Sequence, residues 1–86
     1  MSGEKKLVGK ILHYYTKIGV AVVDLTGELS VGDRIIVEGA STNIQQTIDS
    51  MQIEHASVKS AKAGESIGLK VAGRVKPGDS VYKIVQ

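Results

Sequence analysis

One short turn is written three times in this chain: Gly32-Asp33-Arg34-Ile35, Gly64-Glu65-Ser66-Ile67 and Gly78-Asp79-Ser80-Val81. Each copy is a glycine, an acid, a free position and a β-branched apolar residue. Glycine reaches positive φ without a Cβ clash, and the acid can accept hydrogen bonds from amides left free at a turn. The β-branched residue then opens a strand. Two copies extend backwards in parallel, since Leu29-Ser30-Val31-Gly32-Asp33 matches Val75-Lys76-Pro77-Gly78-Asp79 in placing an apolar residue three positions before the glycine. Pro77 sets its own φ for the turn. The acids could instead be catalytic or metal-binding, but three acids on separate turns, with no clustered histidine, offer no ligand set. The pattern therefore predicts structural corners, each feeding a strand.

The stretches between the corners are short and aliphatic. Leu7 to Leu12 is periodic, and Ile18 to Leu25 has no polar face, as in a strand covered on both sides. Arg34 to Glu38 carries Ile35, Ile36 and Val37, and Gly39 to Asn43 has the small, polar composition of a hairpin loop. Ser66 to Ala72 alternates, with Ile67, Leu69 and Val71 on one face. Val81 to Val85 closes the chain in the same manner. Phe and Trp are absent, so the core must come from Val, Ile, Leu and Ala. The chain, 86 residues long, holds one small core rather than two.

One segment is ambiguous by pattern. Ile44, Ile48 and Met51 fall at helical spacing, and Asn43 with Gln46 imitates a capping box. Thr47, Asp49, Met51 and Ile53 also alternate as a strand would.

Taken in order, the corners carry a resemblance. Gly19-Val20-Ala21 followed by Gly27-Glu28-Leu29-Ser30-Val31-Gly32-Asp33-Arg34-Ile35, then Ala61-Lys62-Ala63-Gly64-Glu65-Ser66-Ile67-Gly68-Leu69, then Gly78-Asp79-Ser80-Val81, resembles the second domain of translational GTPases such as elongation factor Tu and initiation factor two. The likeness runs from about Val8 to Val85. It implies an all-β fold, a small closed six- or seven-stranded antiparallel β-barrel of the translation-protein domain 2 type. The expected organisation is a flexible N-terminal segment, residues 1–6, and a single barrel domain, residues 7–86. The resemblance also places strand over Ile44 to Glu54. Val22 and Val23 stand where that family usually carries another glycine, so its tRNA-end pocket is not carried over. The opening Val8-Gly9-Lys10-Ile11-Leu12 also resembles the carboxyl-terminal appendage of collagenase-like peptidases, over a shorter match.

Cysteine is absent, which removes disulfides, thiolate metal sites and cysteine nucleophiles. His13 and His55 are the two histidines and lie far apart in sequence. No nucleophile and base, carboxylate pair or ligand set is legible, so the sequence predicts a protein that is not an enzyme, with no cofactor and no metal. No phosphate loop is present and no nucleotide is expected. The polar Met1 to Lys6 leads into no long apolar run, so neither a signal peptide nor a membrane span is expected, and cytoplasmic residence follows.

The candidate binding residues are aromatic and basic. Tyr14, Tyr15 and Lys17 sit together between two strands, where the rings could stack on bases while the lysine meets phosphate. Consecutive tyrosines of one strand could equally pack one ring inward and one across the rim. Lys59 and Lys62 precede Gly64, and Arg74 and Lys76 precede Gly78. If those loops share one end, four cations gather as a phosphate-binding patch. Net charge is only +2, which by itself implies no partner. The resemblance implies a translation-factor-like module binding RNA, the ribosome, tRNA or rRNA, or a protein partner. The alternative is an accessory interaction module for a separate enzyme such as a collagenase-like peptidase. A monomer or weak homodimer is expected.

Overall fold

The computed structural model describes residues 4–85. These form ten strands and no helix: β1 Glu4–Tyr15, β2 Val20–Leu25, β3 Leu29–Ser30, β4 Arg34–Glu38, β5 Asn43–Thr47, β6 Met51–Ile53, β7 Ala56–Val58, β8 Ser60–Ala61, β9 Ser66–Lys70 and β10 Ser80–Val85. Eight of them make one sheet in the order β5-β4-β10-β1-β2-β9-β6-β7, and β3 pairs with β8 separately. All pairs are antiparallel. The all-β, antiparallel expectation is met; among the described residues the main ladder holds eight strands rather than six or seven and runs from β5 to β7 with no rung joining those two.

The sheet is nevertheless curled. Gln46 of β5 bonds across to the far end of β9: its side-chain amide donates to the Lys70 carbonyl at 2.9 Å and accepts from the Ala72 N–H at 2.6 Å. A glutamine side chain presents one donor and one acceptor, as a peptide group does. Here it stands in for a missing rung between strands that are first and sixth in the ladder. The curl is helped by β1, which bulges once against β10, between Leu7 and Gly9, and once against β2, between Ile11 and His13. A bulge sharpens local twist and bends the strand. Glu4 to Lys6, expected to be flexible, pair with Val85, Ile84 and Lys83, so the strand starts earlier than the residue 7 boundary. Residues 1–3 of that expected segment lie outside the described residues.

Inward positions follow the period of two. Ala21, Val23 and Leu25 of β2, Ile35 and Val37 of β4, and Ile67 and Leu69 of β9 are buried. Loops stopper both ends of this core. Leu29 and Ile48 are buried where Gly32 N–H donates to the Ile48 carbonyl, and Val71 and Val75 are buried in the long connection from β9 to β10.

The ambiguous segment from Ile44 to Glu54 is strand, but two strands, first and seventh in the ladder. β5 ends at Thr47, Ile48 and its neighbours cross beneath the core, and β6 begins at Met51. The helical spacing of Ile44, Ile48 and Met51 therefore records three inward contacts made by two strands and a crossing, not a helix face.

All three corners adopt one geometry. Gly32, Gly64 and Gly78 have φ of +95°, +92° and +93°. The Asp33, Glu65 and Asp79 amides donate to the carbonyls of Ser30, Lys62 and Lys76, three residues back. Each acid's carboxylate then accepts from the amide of that same residue, at 2.9, 2.7 and 2.9 Å. This is a type II turn with glycine at its third position, and Pro77 occupies the second, where proline is favoured.

Candidate functional site

The long stretch from Ile18 to Leu25, apolar on both faces, was expected to be covered on both sides. It is covered on one. Val20 and Val22 point outward and are only half-buried. They floor an open groove of about 530 Å³ on the outer face of β2 and β9. Ile18 and Tyr15, 62% and 50% exposed, stand at its β1–β2 end. The β6–β7 hairpin contributes Gln52, Glu54 and His55, and β9 contributes Ser66 to Gly68.

The groove exists because of Gly68. Val22 and Gly68 are directly opposite in the ladder, as are Gln52 and Gly68, so a position flanked on both sides carries no side chain. A Cβ there would sit 3.6 Å from Val20 Cγ1, in ordinary contact. The outward Val20 and Val22 thus border a hollow where the neighbouring strand carries a glycine. Sequence reading missed it because register across strands is not written in either strand alone. The signal present was the outward valines.

Glu54 and His55 are held unusually. Ile53 pairs with Ala56, leaving a two-residue loop, and both loop residues have positive φ, 50° and 68°. A two-residue hairpin loop of this kind favours Asn-Gly. Glutamate and histidine carry a steric penalty there. Among the described residues the ion pairs are Lys5–Glu38 and Lys83–Asp33, so no described cation pairs with Glu54.

The residues expected to bind nucleic acid are only partly brought together. Tyr14 packs against the core and Tyr15 faces out, the division that neighbouring positions of a strand impose. The Tyr15 ring meets His13 edge-on at 4.4 Å. Lys17 is exposed in the turn from β1 to β2. The four other cations do not converge. Gly64 N–H donates to the Leu25 carbonyl, placing the turn of Lys62 at the C-terminal end of β2, while Val71 N–H donates to the Gly19 carbonyl, starting the loop of Arg74 and Lys76 at the other end. A six-residue strand separates them by about 20 Å. Lys59 lies with Lys62, since its carbonyl accepts from Val31 beside the β3–β8 pair. Lys76 Nζ is engaged at 2.9 Å with Ser41 Oγ. Lys62 lies beside the Glu65 carboxylate, which accepts from its amide. His13 and His55 lie on different hairpins, and no group of three His, Cys, Asp or Glu that could hold a metal occurs among the described residues.

No family model matches the chain. A solved structure, the C-terminal domain of a U32 peptidase from Geobacillus thermoleovorans, superposes with a TM-score of 0.87 at 22% identity, covering 93% of each chain. The fold is that of a U32 peptidase C-terminal domain. Among curated proteins, a protease of Methanocaldococcus jannaschii described as uncharacterized is 38% identical over 76 residues, covering 87% of this chain and 19% of its own length. A collagenase of Porphyromonas gingivalis is 34% identical over 82 residues, covering 93% of this chain and 23% of its own. The chain spans about a fifth of the length of these relatives. A much weaker match joins it to elongation factor 1-alpha of Thermococcus sibiricus. These findings overturn the translation-factor assignment and the RNA-binding role taken from it. The corner motifs that suggested it are turn chemistry. The shorter likeness at Val8 to Leu12 pointed to the better relatives.

Proposed function

We propose that this chain is an accessory interaction module serving a collagenase-like peptidase, supplying binding rather than catalysis. The observation that carries the reading is the match of most of this chain to about a fifth of a protease and of a collagenase, together with the C-terminal-domain fold. What is left for such a piece to contribute is surface. The same reading takes the curled sheet as a closed barrel, with Gln46 as its seam.

The test is reconstitution in trans. The collagenase relative, shortened by the portion this chain matches, is mixed with the chain, and co-elution and hydrolysis of gelatin are followed. The expected result is association and a rise in gelatin hydrolysis that a small chromogenic peptide does not show. Absence of both association and stimulation up to about 0.1 mM, where specific binding is already weak, sinks the proposal.

A further inference from the structure

Solvated strand faces are normally polar, yet the outer face of β2 presents Val20 and Val22 to the groove, with Ile18 and Tyr15 beside them. Its volume of about 530 Å³ falls within the roughly 300–1,000 Å³ of small-ligand clefts. Ten residues line it, whereas a stable protein interface uses about 20–30 a side. The groove is thus too small for the face of a folded partner or a second copy of this chain, and large enough for a few residues of peptide.

The backbone beside it is also free to pair. β2 accompanies β9 down to the Asp24↔Ser66 pair, but β6 leaves β9 after Gln52↔Gly68. No other strand of the sheet neighbours β9. Leu25 N–H donates to the Glu65 carbonyl, and bonded pairs alternate in an antiparallel ladder. Ile67 therefore bonds toward β2, and Ser66 turns its own N–H and C=O toward the side β6 has vacated. An extended peptide laid along such an edge gains main-chain hydrogen bonds, with pockets reading alternate side chains. Charge adds a direction. Glu54, without a described cationic partner, stands at the hairpin end of the groove.

We propose that the groove binds a short extended peptide segment, one residue of whose backbone pairs with β9 at Ser66, whose next residues cross β9 over Gly68 to bring an apolar side chain onto Val22 and Val20, and whose basic residue faces Glu54. The ligand class deepens the accessory-module reading and rests on it for its biological setting: the segment belongs to a polypeptide that the peptidase handles.

The probe is a fluorescein-labelled, capped hexapeptide, Thr-Val-Thr-Val-Lys-Thr, titrated with the full chain by anisotropy and by amide chemical shifts. Saturable binding is expected, with shifts concentrated at Ser66, Gly68, Val22 and Ile18. Gly68→Val fills the floor and should weaken binding by about tenfold or more. Glu54→Gln should weaken it about two- to fivefold, and should leave a Lys-to-Ser version of the peptide unaffected. Backbone N-methylation of the central valine should abolish binding with the protein untouched, which keeps the test decisive even if Gly68→Val folds poorly. No saturation with the unmodified peptide, or equal binding of the N-methylated one, overturns the proposal. Peptidase association without peptide binding refutes the groove alone; peptide binding without association counts only against the accessory reading.

Discussion

At the scale of single residues, the three corners separate two uses of glycine. A Cβ at Gly32, Gly64 or Gly78 would meet nothing within 4 Å, so space is not the constraint and φ is. Gly32→Ala is expected to lower stability by about 1–2 kcal/mol through backbone strain alone, read by urea denaturation with an unchanged slope. Gly39 differs, because a Cβ there would enter the Asp79 carboxylate. The acids also differ in setting despite identical bonding. Asp79 is buried and Glu65 exposed, so the Lys76–Asp79 bond is half-buried where the Lys62–Glu65 bond is exposed, and an amide partly shielded from water loses more with its acceptor than one that water can reach. Asp79→Ala should therefore destabilise by about 1–3 kcal/mol and Glu65→Ala by about 0.5 kcal/mol. Equal losses in thermal melts would contradict this account of the turn.

Among the elements, the β6–β7 hairpin is the one whose sequence disagrees with its geometry. Replacing its loop, Glu54→Asn with His55→Gly, installs the residues that positive φ prefers. The expected outcome is a gain of about 1 kcal/mol in unfolding free energy together with weaker binding of the basic hexapeptide, measured on the same preparation. A gain in both would show that the strain serves no ligand. Strand β10 is bridged in another way. Lys5 of β1 reaches over the Tyr82 ring, 4.7 Å from its centroid, to Glu38 of β4 at 2.6 Å. The hydrogen bond to Glu38 is the main cause raising the Lys5 pKa above its ordinary 10.5. A raised lysine pKa means that the folded chain holds this proton more tightly than the unfolded chain. The contribution is complete below pH 10.5 and fades as pH rises through the folded value. Lys5→Met should remove that alkaline dependence while leaving neutral-pH melts nearly unchanged, as expected for an exposed pair.

Over the whole molecule, curvature depends on few contacts. Ten short strands surround a core of aliphatic side chains and Met51, and Gln46 ties β5 to the far end of β9. Gln46→Ala frees the Lys70 carbonyl and the Ala72 amide at once. It should cost about 1–2 kcal/mol and selectively remove hydrogen-exchange protection at Ala72. Protection retained at Ala72 would mean that the curl is held by core packing alone. The groove belongs to this scale too, since it needs Gly68 opposite Val22, outward valines on β2, and the early departure of β6.

Local chemistry made the strands and corners readable: glycine at the third turn position, an acid to accept the free amide, and alternating aliphatic residues after it were enough to place all three turns and the buried face of β9, whereas β2 read as covered on both faces and is covered on one. Which strands lie beside one another was not readable, because pairing register is a property of two segments and neither encodes its partner. For that reason Ile44 to Glu54 read as helix or one strand when it is two, and four cations that looked adjacent fall at opposite ends of β2. The groove is the same case. Valine on both faces of β2 was visible in the chain, but only the fold set a glycine opposite one of them and left an edge of β9 unpaired.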